Sequence, residues 1–140
     1  MPQIYRAMTD DGGKPQIVNT ARGLGARIGN GPNFDLPMTR DGNVTPTSGG
    51  MSVSPSWRSL PEHRIPRRLR SVVPGASGKD QDACWRMGSG PFSEGEIDSD
   101  LTLRLDTSIH GLVEPRVQMP SVQYLQCLAA TRDLWEIDEE

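Results

Sequence analysis

The chain has 140 residues, a net charge of −3 and only 34% apolar residues, with 15 glycines and 12 prolines. That length gives a single domain over 1–140 with a modest core and excludes two independent ones. The glycine and proline content marks a loop-rich chain of short strands, below the level of a disordered one.

Residues 3–8 read as an opening strand, with Ile4, Arg6 and Met8 on one face and Tyr5 and Ala7 on the other. An arginine beside two apolar residues is a conflict: either that face opens on a cleft, or Arg6 reaches solvent at an edge. Asp10 to Gly13 closes the strand as a turn. Residues 14–50 are rich in turns, and Ala21 to Ile28 fits a broken helix or a bent strand. Gly23 and Gly25 do not make a dinucleotide fingerprint, because no apolar strand leads in, the third glycine is misplaced and no long helix follows. Val44 to Pro46 reads as an edge strand leading to the Gly49-Gly50 corner, and Met51 and Val53 alternate with Ser52 and Ser54 as a half-buried strand.

Pro55, Pro61 and Pro66 keep the next segment extended. Within 58–70 lie Arg58, Arg64, Arg67, Arg68 and Arg70 against Glu62 alone. A basic segment in an acidic chain points to a local anion site or partner surface, not to general nucleic-acid affinity, or is a solvated loop partly neutralised by the acidic stretches at 94–100 and 136–140. Residues 71–82 are a polar loop and 84–87 a short strand. Leu101 to Asp106 is the cleanest strand, and Gly111 to Glu114 continues as a second one ended by Pro115. Ser121 can cap a helix over 122–135, with Tyr124, Leu125, Leu128 and Trp135 on its apolar side.

Cys84 and Cys127 make neither a disulfide framework nor a zinc pattern, and the scattered histidines imply no metal. No apolar run approaches the ~20 residues of a membrane helix, and the N-terminus shows no secretory signal pattern. The expected setting is cytoplasmic, without a membrane partner. Delivery into a target cell by a contact-dependent machine would leave no such signal.

Several residues can do chemistry. The Arg6 guanidinium suits a pyrophosphate, or an edge-strand ion pair. Gly49 and Gly50 admit a close backbone approach to a flat ring, or simply form a turn, with the Ser52 and Ser54 hydroxyls following. His110 and His63 can each take a proton or bridge a hydroxyl, or be hydrogen-bonded structural groups. Glu114 can steady a positive centre, or face water at a strand end. No Ser-His-Asp order, zinc-protease motif, P-loop or calcium loop is present.

Tyr5-Arg6, then Gly49-Gly50-Met51-Ser52-Val53, then His110 through Pro115 followed by Met119, Tyr124, Leu128 and Trp135 resemble the ADP-ribosyltransferase-like toxins delivered by type VI secretion. The shared order carries the likeness, which spans nearly the whole chain and is weakest over 14–45 and 71–100. The resemblance implies an α+β fold, a small split β-sandwich of short strands with a C-terminal helix. It implies a cleft for NAD as substrate, with no metal. Tyr5, Arg6, Gly49, Gly50, Ser54 and His63 would hold the dinucleotide; His110, Ser52 and Glu114 would serve catalysis, though Glu114 falls where the family is not regularly acidic. It also implies a protein or RNA target and a cognate immunity or antitoxin protein. The alternatives are an RNA-acting toxin, with His63 or His110 as base, and a non-catalytic binding protein using the basic 58–70 segment.

Overall fold

A computed structural model describes residues 1–140. Two antiparallel sheets and one C-terminal helix make a small α+β fold. The first sheet is built on β1 (Ile4–Asp11), flanked by β2 (Lys14–Pro15) and by β5 (Asp82–Met87), with β10 (Glu136–Ile137) on the far edge of β5. The second runs in the order β4 (Met51–Val53), β8 (His110–Pro115), β7 (Leu101–Thr107), β6 (Gly95–Glu96). A small pair joins β3 (Asn43–Val44) to β9 (Met119–Pro120).

The first five residues of β1, Ile4–Met8, are buried on both faces, and all but Arg6 are apolar or aromatic. Ile4 and Met8 enter the larger core with Trp85, Leu101, Leu103, Tyr124 and Trp135. Tyr5 and Ala7 enter a smaller core with Trp57, Leu60, Ile65 and Cys84. Alternation of side chains thus places one strand between two cores. Met51, Val53, Leu101, Leu103 and Val113 supply the second sheet's apolar face, as their period of two requires.

One backbone rung joins the two sheets. Tyr5 N–H donates to the Ser54 carbonyl at 2.8 Å, and Ser54 N–H returns to Tyr5 at 2.9 Å. Beyond that rung β1 and β4 separate, and the gap becomes the cleft described below.

Three expectations need correction. The helix, α1, spans Ser121–Ala129 and not 122–135. Pro120 holds the cap position, so Ser121 is the first helical residue and makes no capping bond. The Thr131 hydroxyl donates to Leu128 O at 2.7 Å and accepts from Trp135 Nε1 at 3.0 Å, anchoring a short 3-10 turn, Arg132–Leu134, that turns Trp135 into the core. Residues 55–70 are not extended; 3-10 turns form at Trp57–Ser59 and Arg67–Leu69. The first is held by a reciprocal Ser56–Ser59 capping box, and the second begins immediately after Pro66, whose fixed φ suits a turn entry. Ala21 to Ile28 is neither helix nor strand: Gly23 and Gly25 pack so tightly on Val18 and Asn19 that a β-carbon would collide.

The acidic tail is ordered against the sheet. Asp138 accepts from Tyr5 Oη at 2.7 Å and from Arg86 Nε at 3.0 Å, and Glu139 takes both terminal nitrogens of Arg68 at 2.7 Å. The Tyr5 phenol is pushed up to about 12, first by burial and then by Asp138.

Tyr124 ties the helix to the second sheet. Its buried hydroxyl accepts from Met51 N–H at 3.2 Å and donates to Val113 O at 2.6 Å. Tyr124→Phe leaves both backbone groups buried without that partner and should cost about 1–3 kcal/mol. Urea denaturation measures this; a loss below about 0.5 kcal/mol would show that the hydroxyl does not anchor the corner.

Candidate functional site

A cavity of about 200 Å³ opens where β1 and β4 part. Arg6 and Ala7 line it from β1, Ser52, Val53 and Ser54 from the β4 side, and His110 from the start of β8. Leu60, Pro61, His63 and Arg64 form an opposite wall, and Ala21, Arg27 and Asp35 complete the rim. Five residues singled out in the sequence therefore converge here: Arg6, Ser52, Ser54, His63 and His110.

Arg6 is 6% exposed and makes no ion pair at contact distance. Its Nε donates to Gly23 O at 3.1 Å, Nη1 to Ser52 O at 2.8 Å and Nη2 to Thr20 O at 3.2 Å. A guanidinium has five N–H groups, so two remain for a ligand. In the antiparallel ladder the rung after Tyr5–Ser54 would join Ala7 to Ser52. The Ser52 carbonyl instead accepts from Arg6, and the rung does not form. Arg6 acts as a wedge that keeps the sheets apart.

The same alternation turns the Ala7 N–H and C=O toward the gap. On one side Tyr5 is taken by Ser54; on the other, Thr9 N–H goes to Arg22 O and Thr9 O accepts from Gln16. No backbone hydrogen bond outside the sheet ladders takes the Ala7 groups.

Burial pushes the Arg6 guanidinium down to about 10, with Arg64 and Arg27 adding to the fall and Asp35 opposing it. Its folded value lies below the unfolded one, so the unfolded chain binds more protons between those values. The buried cation therefore costs stability at neutral pH, a cost relieved only as pH rises through about 10. A buried cation that lines a cavity is a candidate ligand-binding group.

His110 sits where the β7–β8 hairpin closes, after a register shift between Leu105 and Thr107. Its Nδ1 lies 2.6 and 2.7 Å from the two Asp106 oxygens. That contact fixes the ring and places the Nδ1 proton toward the carboxylate, leaving Nε2 without a partner. His63 lies in the turn at 62–64 of the opposite wall.

The other four residues expected at the site lie elsewhere. Tyr5 points away from Arg6, into the smaller core, with its hydroxyl on Asp138. Gly49, at φ +140°, lets the corner pass against the Asp35 carbonyl and Leu36, while Gly50 packs on the Val113 carbonyl. Their bare backbones serve chain crossing and do not line the cavity. Glu114 is 1% exposed, and its Oε2 accepts from Arg104 Nε at 2.9 Å, so the cross-strand pair holds the carboxylate outside the cavity.

The carboxylate that does line the cavity is Asp35, whose Oδ2 accepts from Arg27 N–H at 2.7 Å and whose Oδ1 accepts from Arg27 Nη2 at 3.0 Å. Asp35, Arg27, Arg64 and the Ala7 backbone were not legible as site groups. The only signals were Arg64's place in the basic segment and Asp106's position four residues before His110. Cys84 is buried outside the cavity, and burial pushes its thiol up to about 12. Compared with known proteins, the chain matches no family model and no curated sequence.

Arg6→Lys should destabilise the fold by about 2–4 kcal/mol, because one ammonium cannot serve three diverging carbonyls. Urea unfolding reads this out. A change under about 0.5 kcal/mol would remove Arg6 as the wedge.

Proposed function

We propose that this protein is an NAD-consuming ADP-ribosyltransferase-like toxin whose cleft at the parting of the two sheets binds the nicotinamide riboside half of NAD. The Ala7 backbone carries the reading: one N–H and one C=O facing a cavity match the carbonyl and amino groups of a carboxamide. The residue order that resembles these toxins supports it, since the arginine, the serine corner and the late histidine meet at one cavity. The split of two antiparallel sheets at β1 and β4 is compatible with such a fold.

In this reading the carboxamide pairs with Ala7. The Ser52 and Ser54 hydroxyls and His110 Nε2 meet the ribose hydroxyls, and the spare Arg6 N–H groups meet the adjoining phosphate. As the bond between ribose C1′ and nicotinamide lengthens, its electron pair leaves with the ring, and positive charge grows on the ribose. His110, held electron-rich by Asp106, accepts from a ribose hydroxyl and steadies that charge, a preorganised electrostatic effect. Asp35 adds negative charge at the rim. A toxin of this kind acts inside a target cell and calls for an immunity protein that covers the cleft.

A second reading is RNA cleavage without NAD. One specific observation favours it: His63 and the Asp106-bound His110 line the same cavity, an arrangement usable as an acid–base pair.

The purified protein should release nicotinamide from NAD. His110→Ala should lower kcat about 100-fold with KM within about threefold, because the imidazole acts mainly on the developing charge. Absence of nicotinamide release, together with RNA cleavage in NAD-free buffer that His110→Ala abolishes, would replace the first reading with the second.

A further inference from the structure

The cleft carries an excess of positive charge at one end. Arg6, Arg27 and Arg64 line it against one carboxylate, Asp35, whose two oxygens are already held by Arg27. The charges of Arg64 and Arg27 are felt at Arg6, where both push the guanidinium down. Arg64 is half-buried and takes part in no ion pair. It stands with Arg27 and Ala21 at the seam between the cleft and a second depression of about 400 Å³, lined also by Thr9, Gln16, Thr20 and Arg22.

A further pair of cations lies near that seam in the chain. Gly78 lies so close to the Arg64 backbone that a β-carbon would crowd it, and the Gly78 carbonyl accepts from Arg67 N–H at 3.1 Å. Arg67 and Lys79, neither in an ion pair, flank Gly78 around a third depression that Asp80 also lines, where one Asp80 oxygen is taken by the Arg68 N–H at 2.8 Å. Unpaired cations in sequence along a surface suit a repeating polyanion better than a single anionic side chain. A cationic acceptor such as a protein arginine would meet repulsion at the seam.

We propose, resting on the NAD reading above, that the acceptor is a terminal phosphate of a nucleic acid, gripped at the seam by Arg64 and Arg27. A phosphate oxygen attacks C1′ of the nicotinamide ribose, forming a C–O bond. The C1′–nitrogen bond breaks, and its electron pair leaves with nicotinamide, which departs neutral. The product is a phosphodiester between ADP-ribose and the nucleic acid. The attacking oxygen is already ionised, so no proton moves and no base is required. This chemistry suits a cleft whose lining carboxylate is occupied by an arginine.

The test incubates the purified full chain and NAD with four acceptors: RNA and DNA oligonucleotides bearing a terminal phosphate, the same oligonucleotides after phosphatase treatment, a phosphoserine peptide, and agmatine as a guanidine. Mass spectrometry reads ADP-ribose addition, and nicotinamide release is followed in parallel. The proposal expects addition to the phosphorylated oligonucleotides alone, with the ratio of transfer to nicotinamide release falling at least about tenfold in Arg64→Glu. Equal modification of the dephosphorylated oligonucleotide, the phosphopeptide or agmatine overturns it, as does nicotinamide release with transfer to water only; each leaves the NAD reading standing. No nicotinamide release in any arm overturns both.

Discussion

A buried guanidinium held by three main-chain carbonyls is the constraint on which the rest of this structure depends. Arg6 draws together Gly23 and Thr20 from the loop after β2 and Ser52 from β4. Its bond occupies the Ser52 carbonyl, the acceptor that the next rung to Ala7 would need. The protein keeps a cation in a place where burial depresses its ionisation toward about 10. Burying such a group is unfavourable unless its donors are met, and here backbone carbonyls meet them in place of a carboxylate. The charge is therefore not neutralised locally and remains available to an anionic ligand.

The surrounding elements hold this opening in shape. Tyr124 pins the helix to the first residue of β4 and to β8, on the core side of the second sheet. On the other flank, the C-terminal carboxylates reach across β5 to Arg68 and Arg86, and Trp57 Nε1 donates to the Glu140 carbonyl at 3.1 Å. The basic segment is thus fastened at both ends, at Trp57 and at Arg68, while its middle, Leu60 to Arg64, stands as the far wall of the cleft. The acidic C-terminal residues neutralise Arg68 of this segment and leave others, notably Arg64, outside any ion pair.

The parts of this architecture governed by local alternation were legible in the sequence. The strands around Arg6, Met51 to Val53, Leu101 to Asp106 and Gly111 to Glu114 follow from period-two patterning, whereas the conflict of Arg6 beside Ile4 and Met8 leaves a cleft and a solvent-facing edge equally open, and burial of Arg6 decides between them. What failed depended on contacts between distant segments. Glu114 reads as an available strand-end carboxylate until Arg104, ten residues earlier on the neighbouring strand, is seen to hold it. Asp35 lies in a turn-rich stretch with no periodicity, and only the passage of that loop over Gly49 brings it to the rim. The helix ends at Ala129, and beyond it a Thr131–Trp135 side-chain contact that no helical stripe announces turns the chain back to the core. The Ala7 backbone could not be read at all, since a missing rung is a property of two strands and not of either one.

The central claim is that the parted sheets present the Ala7 backbone and the Arg6 guanidinium to the nicotinamide half of NAD. Backbone amide NMR during titration with NAD tests it most directly. The account predicts saturable shifts at Ala7, Ser52, Ser54 and His110, with little change at Gly12 or Glu96 on remote turns and edges. No shift at millimolar NAD, or shifts confined to residues outside the cleft, would contradict it.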